Sequence, residues 1–218
     1  MNPLAVSALA SVIIVSHCEQ VLPIWQNESR LKEYQRALVS LNKSTNITYY
    51  EIRATDMVST DVHTNQIHQK SSYICWSVNT VYFNQKNDEA ELLYHYSLTA
   101  TRERYSIKDK VKAVSELNYT IKNAIQYNPD RDDHEADPVI FTDGETCDLY
   151  NVPKISPKDG CELWVRSDYK DNVPPCCSFI YDLLCNVEKS YEIYNKHQCK
   201  EVPQSSAKQR RRRDILRE

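Results

Sequence analysis

The chain has 218 residues, of which 41% are hydrophobic, and carries 27 basic and 30 acidic side chains; that is apolar content enough for one sizeable core, read as one domain. Setting residues 205–218 apart removes six basic and two acidic residues and leaves 21 against 28, a net −7 on the body. An acidic body attracts cations and repels nucleic acid, and a chain with only 2 glycines cannot build a glycine-rich phosphate loop.

Residues 4–15 (LAVSALASVIIV) are apolar but too short to span a bilayer, and no later run is long enough to do so. Residues 1–18 therefore read as a secretory signal peptide. Ser16 and Cys18 allow cleavage after Cys18, while retention of Cys18 in the mature chain stays open. Sequons at Asn27, Asn42, Asn46 and Asn118 agree with export, since each would place a glycan on an extracellular surface.

From Glu28 to Leu41, Leu31, Tyr34, Leu38 and Leu41 recur at spacings of three and four and predict one amphipathic helix. Eight strand-like runs follow: Asn46–Ala54, Ser72–Phe83, Glu91–Ala100, Ile107–Glu116, Asn118–Tyr127, Pro138–Asp143, Thr146–Val152 and Cys161–Arg166. Without helices between them, these strands point to an antiparallel barrel or sandwich, and closure into a barrel removes exposed edges and leaves room for a small ligand. After Pro174-Pro175, Phe179, Leu183 and Leu184, then Tyr191, Ile193 and Tyr194, predict helical turns tied down by disulfides. The domain so defined runs over 19–204. The remaining tail, 205–218, is basic and lacks an apolar period, so its removal is expected to leave both melting temperature and ligand binding unchanged.

Eight cysteines stand at 18, 75, 147, 161, 176, 177, 185 and 199, with no C-x₂-C pair of the zinc type, which favours disulfides. Two of them are followed directly by an acid: Asp148 after Cys147, and Glu162 after Cys161. Strand alternation places Cys147 and Leu149 on one face with Asp148 and Tyr150 on the other, and repeats the pattern for Cys161 and Leu163 against Glu162 and Trp164. Periodicity leaves two readings. Either the cysteines reach outward and both acid–aromatic pairs line the barrel, or the acids face solvent and the cysteines the core. In the first case a bound ammonium would offset the cost of burying the carboxylates, and the rings would offer faces to a cation.

The stretch CDL, then twelve residues, ELW, then eleven residues and Cys176 resembles the amine-binding signature of the salivary histamine-binding lipocalins of ticks; GCELWV, NVPPCC, Cys199 and ITYYEIRAT resemble the same family. The resemblance implies a mainly β fold, an eight-stranded antiparallel lipocalin barrel with an amino-terminal helix and a disulfide-tethered carboxy-terminal helix. It also implies a secreted protein, not an enzyme and without a cofactor, that sequesters histamine or serotonin. A lipid mediator or a host protein is the alternative partner. Asp148 and Glu162 carry over as amine ligands, with Trp164 and Tyr150 beside them, and a looser match assigns Asp56, Asp109, Tyr127 and Asp137 to a second pocket. The implied disulfides are Cys75 with Cys199, Cys161 with Cys185, and Cys147 with Cys176 or Cys177, the other of these two pairing with Cys18 only if it is retained. Where the family usually carries a tryptophan in the helix before the first strand, this chain has Ala37-Leu38.

Other constellations predict no chemistry. His63, His68 and His95 fit no zinc spacing, Asp130 to Asp137 (DRDDHEAD) reads as a solvated turn rather than a calcium loop, and no nucleophile elbow, Walker loop or HExxH occurs.

Overall fold

The computed structural model describes residues 22–64, 67–130, 135–156, 160–185 and 188–200; the expected signal peptide with Cys18, the basic tail and the middle of the acidic turn lie outside them. The predicted early helix forms in pieces: α1 (Glu28–Leu31), a 3₁₀ turn (Lys32–Tyr34) and α2 (Ala37–Leu41). Tertiary hydrogen bonds divide it. The buried Gln35 side chain donates to the carbonyls of Trp25 and Ile140, and the Ala37 N–H goes to Lys122 O rather than back along a helix.

Ten strands follow: β1 (Thr48–Ala54), β2 (Ser59–Thr64), β3 (Ile67–Asn84), β4 (Glu89–Leu98), β5 (Arg104–Val114), β6 (Ala124–Tyr127), β7 (Ala136–Thr142), β8 (Cys147–Asn151), β9 (Cys161–Arg166) and β10 (Tyr191–Glu192). Each of the eight predicted runs contributes one barrel strand. The order is β1-β3-β4-β5-β6-β7-β8-β9, and β1 closes the ring by pairing β9 (Glu51 opposite Trp164) and β3 (Tyr49 opposite Val78), giving an 8-stranded antiparallel barrel. The alternation that predicted the strands is the one that buries them: along β4, Ala90, Leu92, Tyr94, Tyr96 and Leu98 are buried while Glu89, Glu91, Leu93 and His95 are only partly so.

Three expectations are corrected. The run from Asn118 becomes a strand only at Ala124, because Leu117 and Asn118 take left-handed backbone (φ 58° and 60°) and the Ser115 hydroxyl donates to Ile121 O, making a turn. The acidic turn ends sooner than predicted, since β7 draws in Ala136 and Asp137. Among the described residues after Pro174, only α3 (Pro175–Leu184) is helical; it buries Cys177 and Tyr181, one turn apart, and leaves Phe179 and Leu183 exposed, while Tyr191–Glu192 adds an edge strand to β1. The polar hairpin strand β2, extending β3 beyond the barrel, had no apolar signal to announce it.

Apolar side chains gather in two clusters, one filling the barrel and one between its outer wall and α3. The outer cluster contains Cys147, Leu149, Cys161, Leu163 and Val165 of β8 and β9. Disulfides Cys147–Cys177 and Cys161–Cys185 join this wall to α3, and Cys75–Cys199 ties the terminal segment to a bulge of β3; Cys176 is exposed and unbridged. Among the described residues no helix is long and apolar enough to cross a membrane.

Candidate functional site

With the cysteines of β8 and β9 committed to the outer wall, alternation turns Asp148, Tyr150, Glu162 and Trp164 to the inside. All four line a cavity of about 520 Å³ of space not filled by protein atoms, part of it continuous with solvent. Asp148, Glu162 and Trp164 are each only 3% exposed. Pairing register sets Asp148 opposite Trp164 and Tyr150 opposite Glu162. The inner face is thus a checkerboard of acids and rings, with the Asp148 and Glu162 positions on a diagonal, their backbones roughly 7–8 Å apart by sheet geometry.

Each acid is held by the ring two residues on. The Tyr150 hydroxyl donates to Asp148 Oδ2 at 3.2 Å, and Trp164 Nε1 donates to Glu162 Oε2 at 3.0 Å. Burial, then the neighbouring Asp148 charge, pushes the Tyr150 phenol well above its ordinary pKa, so it stays a donor at any physiological pH. The Thr142 hydroxyl, directly across from Asp148 on β7, gives its Oδ1 a 2.5 Å bond.

A residue with no signal in the sequence completes this corner. Lys43, within the polar loop NKSTN, reaches inward and sets its ammonium 3.2 Å from Asp148 Oδ1, with side chains 6% and 5% exposed, respectively. Its Nζ also lies 4.6 Å from the centre of the Tyr49 ring. Burial disfavours the Lys43 charge, but Asp148 and then Tyr49 outweigh it and hold the lysine above its usual pKa. Ser40, Leu41, Tyr49, Val78, Thr80, Leu92, Tyr94 and Ile125 supply most of the remaining wall. Leu92 and Tyr94 were legible from the β4 alternation; Ser40 and Lys43 were not, because polar residues beside a turn ordinarily face solvent.

Of the four residues of the expected second pocket, Asp109, Tyr127 and Asp137 are buried on adjacent strands β5, β6 and β7, and Asp56 is not. Tyr127 and Asp137 line the cavity already described. Asp109 is buried inside the barrel on β5, opposite Leu92, but is not in this wall. Asp56 is exposed, outside the cavity wall, its Oδ1 accepting the Met57 N–H. Beyond the cavity, the rings of Tyr73, Trp76, Tyr96 and Tyr105 pack on one another at centroid distances of 4.7 to 6.2 Å and occupy that part of the barrel. The side chains of His63 and His68 lie outside the described ones; His95 shares a 2.7 Å hydrogen bond with Ser106, and no metal-binding group forms among the described residues. Asn27, Asn42, Asn46 and Asn118 are all exposed.

The β7–β8 turn carries Thr142 and Asp148 to the cavity. Asp143 Oδ1 accepts the backbone N–H groups of Glu145 (2.9 Å), Thr146 (2.7 Å) and Cys147 (3.2 Å), and Gly144 takes the left-handed backbone (φ 82°) that the turn requires. Burial alone would raise the Asp143 pKa, but these backbone donors outweigh it and hold it below the ordinary carboxylate value. A pKa lower in the folded than in the unfolded state stabilises above the unfolded value, and the contribution is lost as pH falls through the folded one. Asp143→Ala is expected to lower stability by about 1–2 kcal/mol, the low end for charged bonds because the residue is exposed. Urea unfolding at pH 7 and pH 3 checks it, the difference between wild type and variant shrinking in acid.

A sequence model of the family described as "Tick histamine binding protein" matches residues 25–201. The male-specific histamine-binding salivary protein of Rhipicephalus appendiculatus is 31% identical over 188 residues, covering 83% of this chain and 89% of that one. A solved structure of Japanin from the same tick, bound to cholesterol, aligns with a TM-score of 0.47 at 15% identity, over 72% of this chain and 97% of that one. Family model and relative agree over nearly all of the described barrel: the chain belongs to the tick histamine-binding protein family.

Proposed function

We propose that the protein is a secreted carrier that sequesters a small aromatic amine, histamine or serotonin, in the barrel cavity by binding alone. The observation that carries this reading is the checkerboard of Asp148, Tyr150, Glu162 and Trp164, in which two buried carboxylates are each oriented by a ring. Two carboxylates on one buried wall favour a cationic ligand, and their diagonal placement suits a short one with an ammonium at one end and a ring N–H at the other. The aromatic packing of Tyr73, Trp76, Tyr96 and Tyr105 shortens the space available, which favours a small amine over a long lipid. Three disulfides and the salivary relative support export.

Titration calorimetry with histamine and serotonin tests the reading, beside native mass spectrometry of the purified protein. One-to-one binding with no product formed is the expected result. No heat with either amine, together with a retained lipid mass, would overturn it in favour of the lipid alternative.

A further inference from the structure

The carboxylate expected to receive the ligand is already engaged by an ammonium of the chain itself. Lys43 presents to Asp148 the same elements that a bound amine would use: a primary ammonium at 3.2 Å from a carboxylate oxygen and an aromatic face, Tyr49, at 4.6 Å. Thr142 shares Asp148 Oδ1 with Lys43 and Tyr150 bonds Oδ2, so an entering amine that pairs with Oδ1 does so at the place of Lys43. Asn42, Ser44, Thr45 and Asn46, which flank Lys43 in the loop from α2 to β1, are all exposed. Swinging the lysine outward therefore unpacks none of these neighbours.

We infer that Lys43 is a tethered competitor for the amine site: it neutralises Asp148 in the empty barrel, is displaced when ligand binds, and so sets which amines can bind. The inference rests on the amine reading proposed above. Charge alone gives an incoming amine no advantage over Lys43, which brings the same charge at no translational cost. A ligand wins only through a body that fills the space beside Tyr94, Tyr127 and Trp164. A short aliphatic amine, which is the lysine side chain cut free, gains nothing and is rejected.

A binding-competent state populated in about one molecule in ten weakens apparent affinity tenfold. With Lys43 seated on Asp148 in most empty molecules, Lys43→Met is expected to bind histamine about tenfold more tightly or better. The same variant should bind n-butylamine, which wild type should not measurably bind. Calorimetry with both probes on both proteins reads this. Wild type with ε-¹³C-labelled lysine covers the case in which the variant folds poorly: one ε-methylene resonance, assigned by its absence from Lys43→Arg, should move to the exposed-lysine position on adding histamine. Histamine bound equally by wild type and Lys43→Met, with no such resonance moving, overturns the inference and leaves the amine reading standing. No amine bound by either protein overturns both.

Discussion

Glu162→Gln is expected to weaken histamine or serotonin binding by about 2–5 kcal/mol, the range for truncating one partner of a desolvated charge pair. The substitution nearly preserves shape, and a glutamine oxygen can still accept from Trp164 Nε1, so the loss would be one of charge rather than of packing. Asp148→Asn should weaken binding less, because Lys43 already neutralises Asp148 in the empty protein and an incoming amine gains less there. The stability of the empty protein should separate the two variants in the opposite sense. Asp148→Asn leaves the Lys43 ammonium buried without its carboxylate, and breaking a buried pair in this way costs about 3–5 kcal/mol when the charge cannot escape; an outward swing of Lys43 would reduce that figure. Trp164→Phe keeps a ring face but removes the donor that orients Glu162, and is expected to fall between wild type and Glu162→Gln. Calorimetry for affinity and urea unfolding for stability decide the matter. Equal affinities in wild type and Glu162→Gln would place the ligand away from the checkerboard.

Replacing Cys75 and Cys199 together by serine is expected to produce the largest loss of stability of the three bridges. The loop it closes spans 124 residues, against 30 for Cys147–Cys177 and 24 for Cys161–Cys185. On the chain-entropy account, a loop of that length corresponds to about 5 kcal/mol and the shorter ones to about 3.5 kcal/mol each. For a domain of this size, the larger figure lowers the melting temperature on the order of 10–15 °C. Function should order the bridges differently. Cys147 and Cys161 directly precede Asp148 and Glu162, and their bonds to α3 hold β8 and β9 with the acids inward. Loss of either is therefore expected to weaken amine binding as well, whereas loss of Cys75–Cys199, which anchors the terminal segment to β3, should leave the affinity of the folded fraction close to wild type. Scanning calorimetry and amine titration below the melting transition measure the two orders, and a Cys75/Cys199 variant melting within a few degrees of wild type would overturn the first.

The barrel strands were readable from the amino-acid order because alternation is local: a strand with one face on the core writes that face into every second residue, as β4 does. The acid–aromatic repeat of β8 and β9 was readable for the same reason, though alternation by itself cannot say which face is inside. Long-range contacts decided that, through the bridges that draw Cys147 and Cys161 to α3 and so turn Asp148 and Glu162 inward. They also decided the division of the predicted early helix, where Gln35 and Ala37 find partners at Ile140 and Lys122. They separated Tyr127 and Asp137, which join the cavity wall, from Asp56, which stays in solvent. Lys43 marks the limit most clearly. In a polar loop, as the middle residue of the sequon Asn42-Lys43-Ser44, it reads as a solvated lysine, and only closure of the barrel, which brings a residue 105 positions away within hydrogen-bond reach, makes it part of the site.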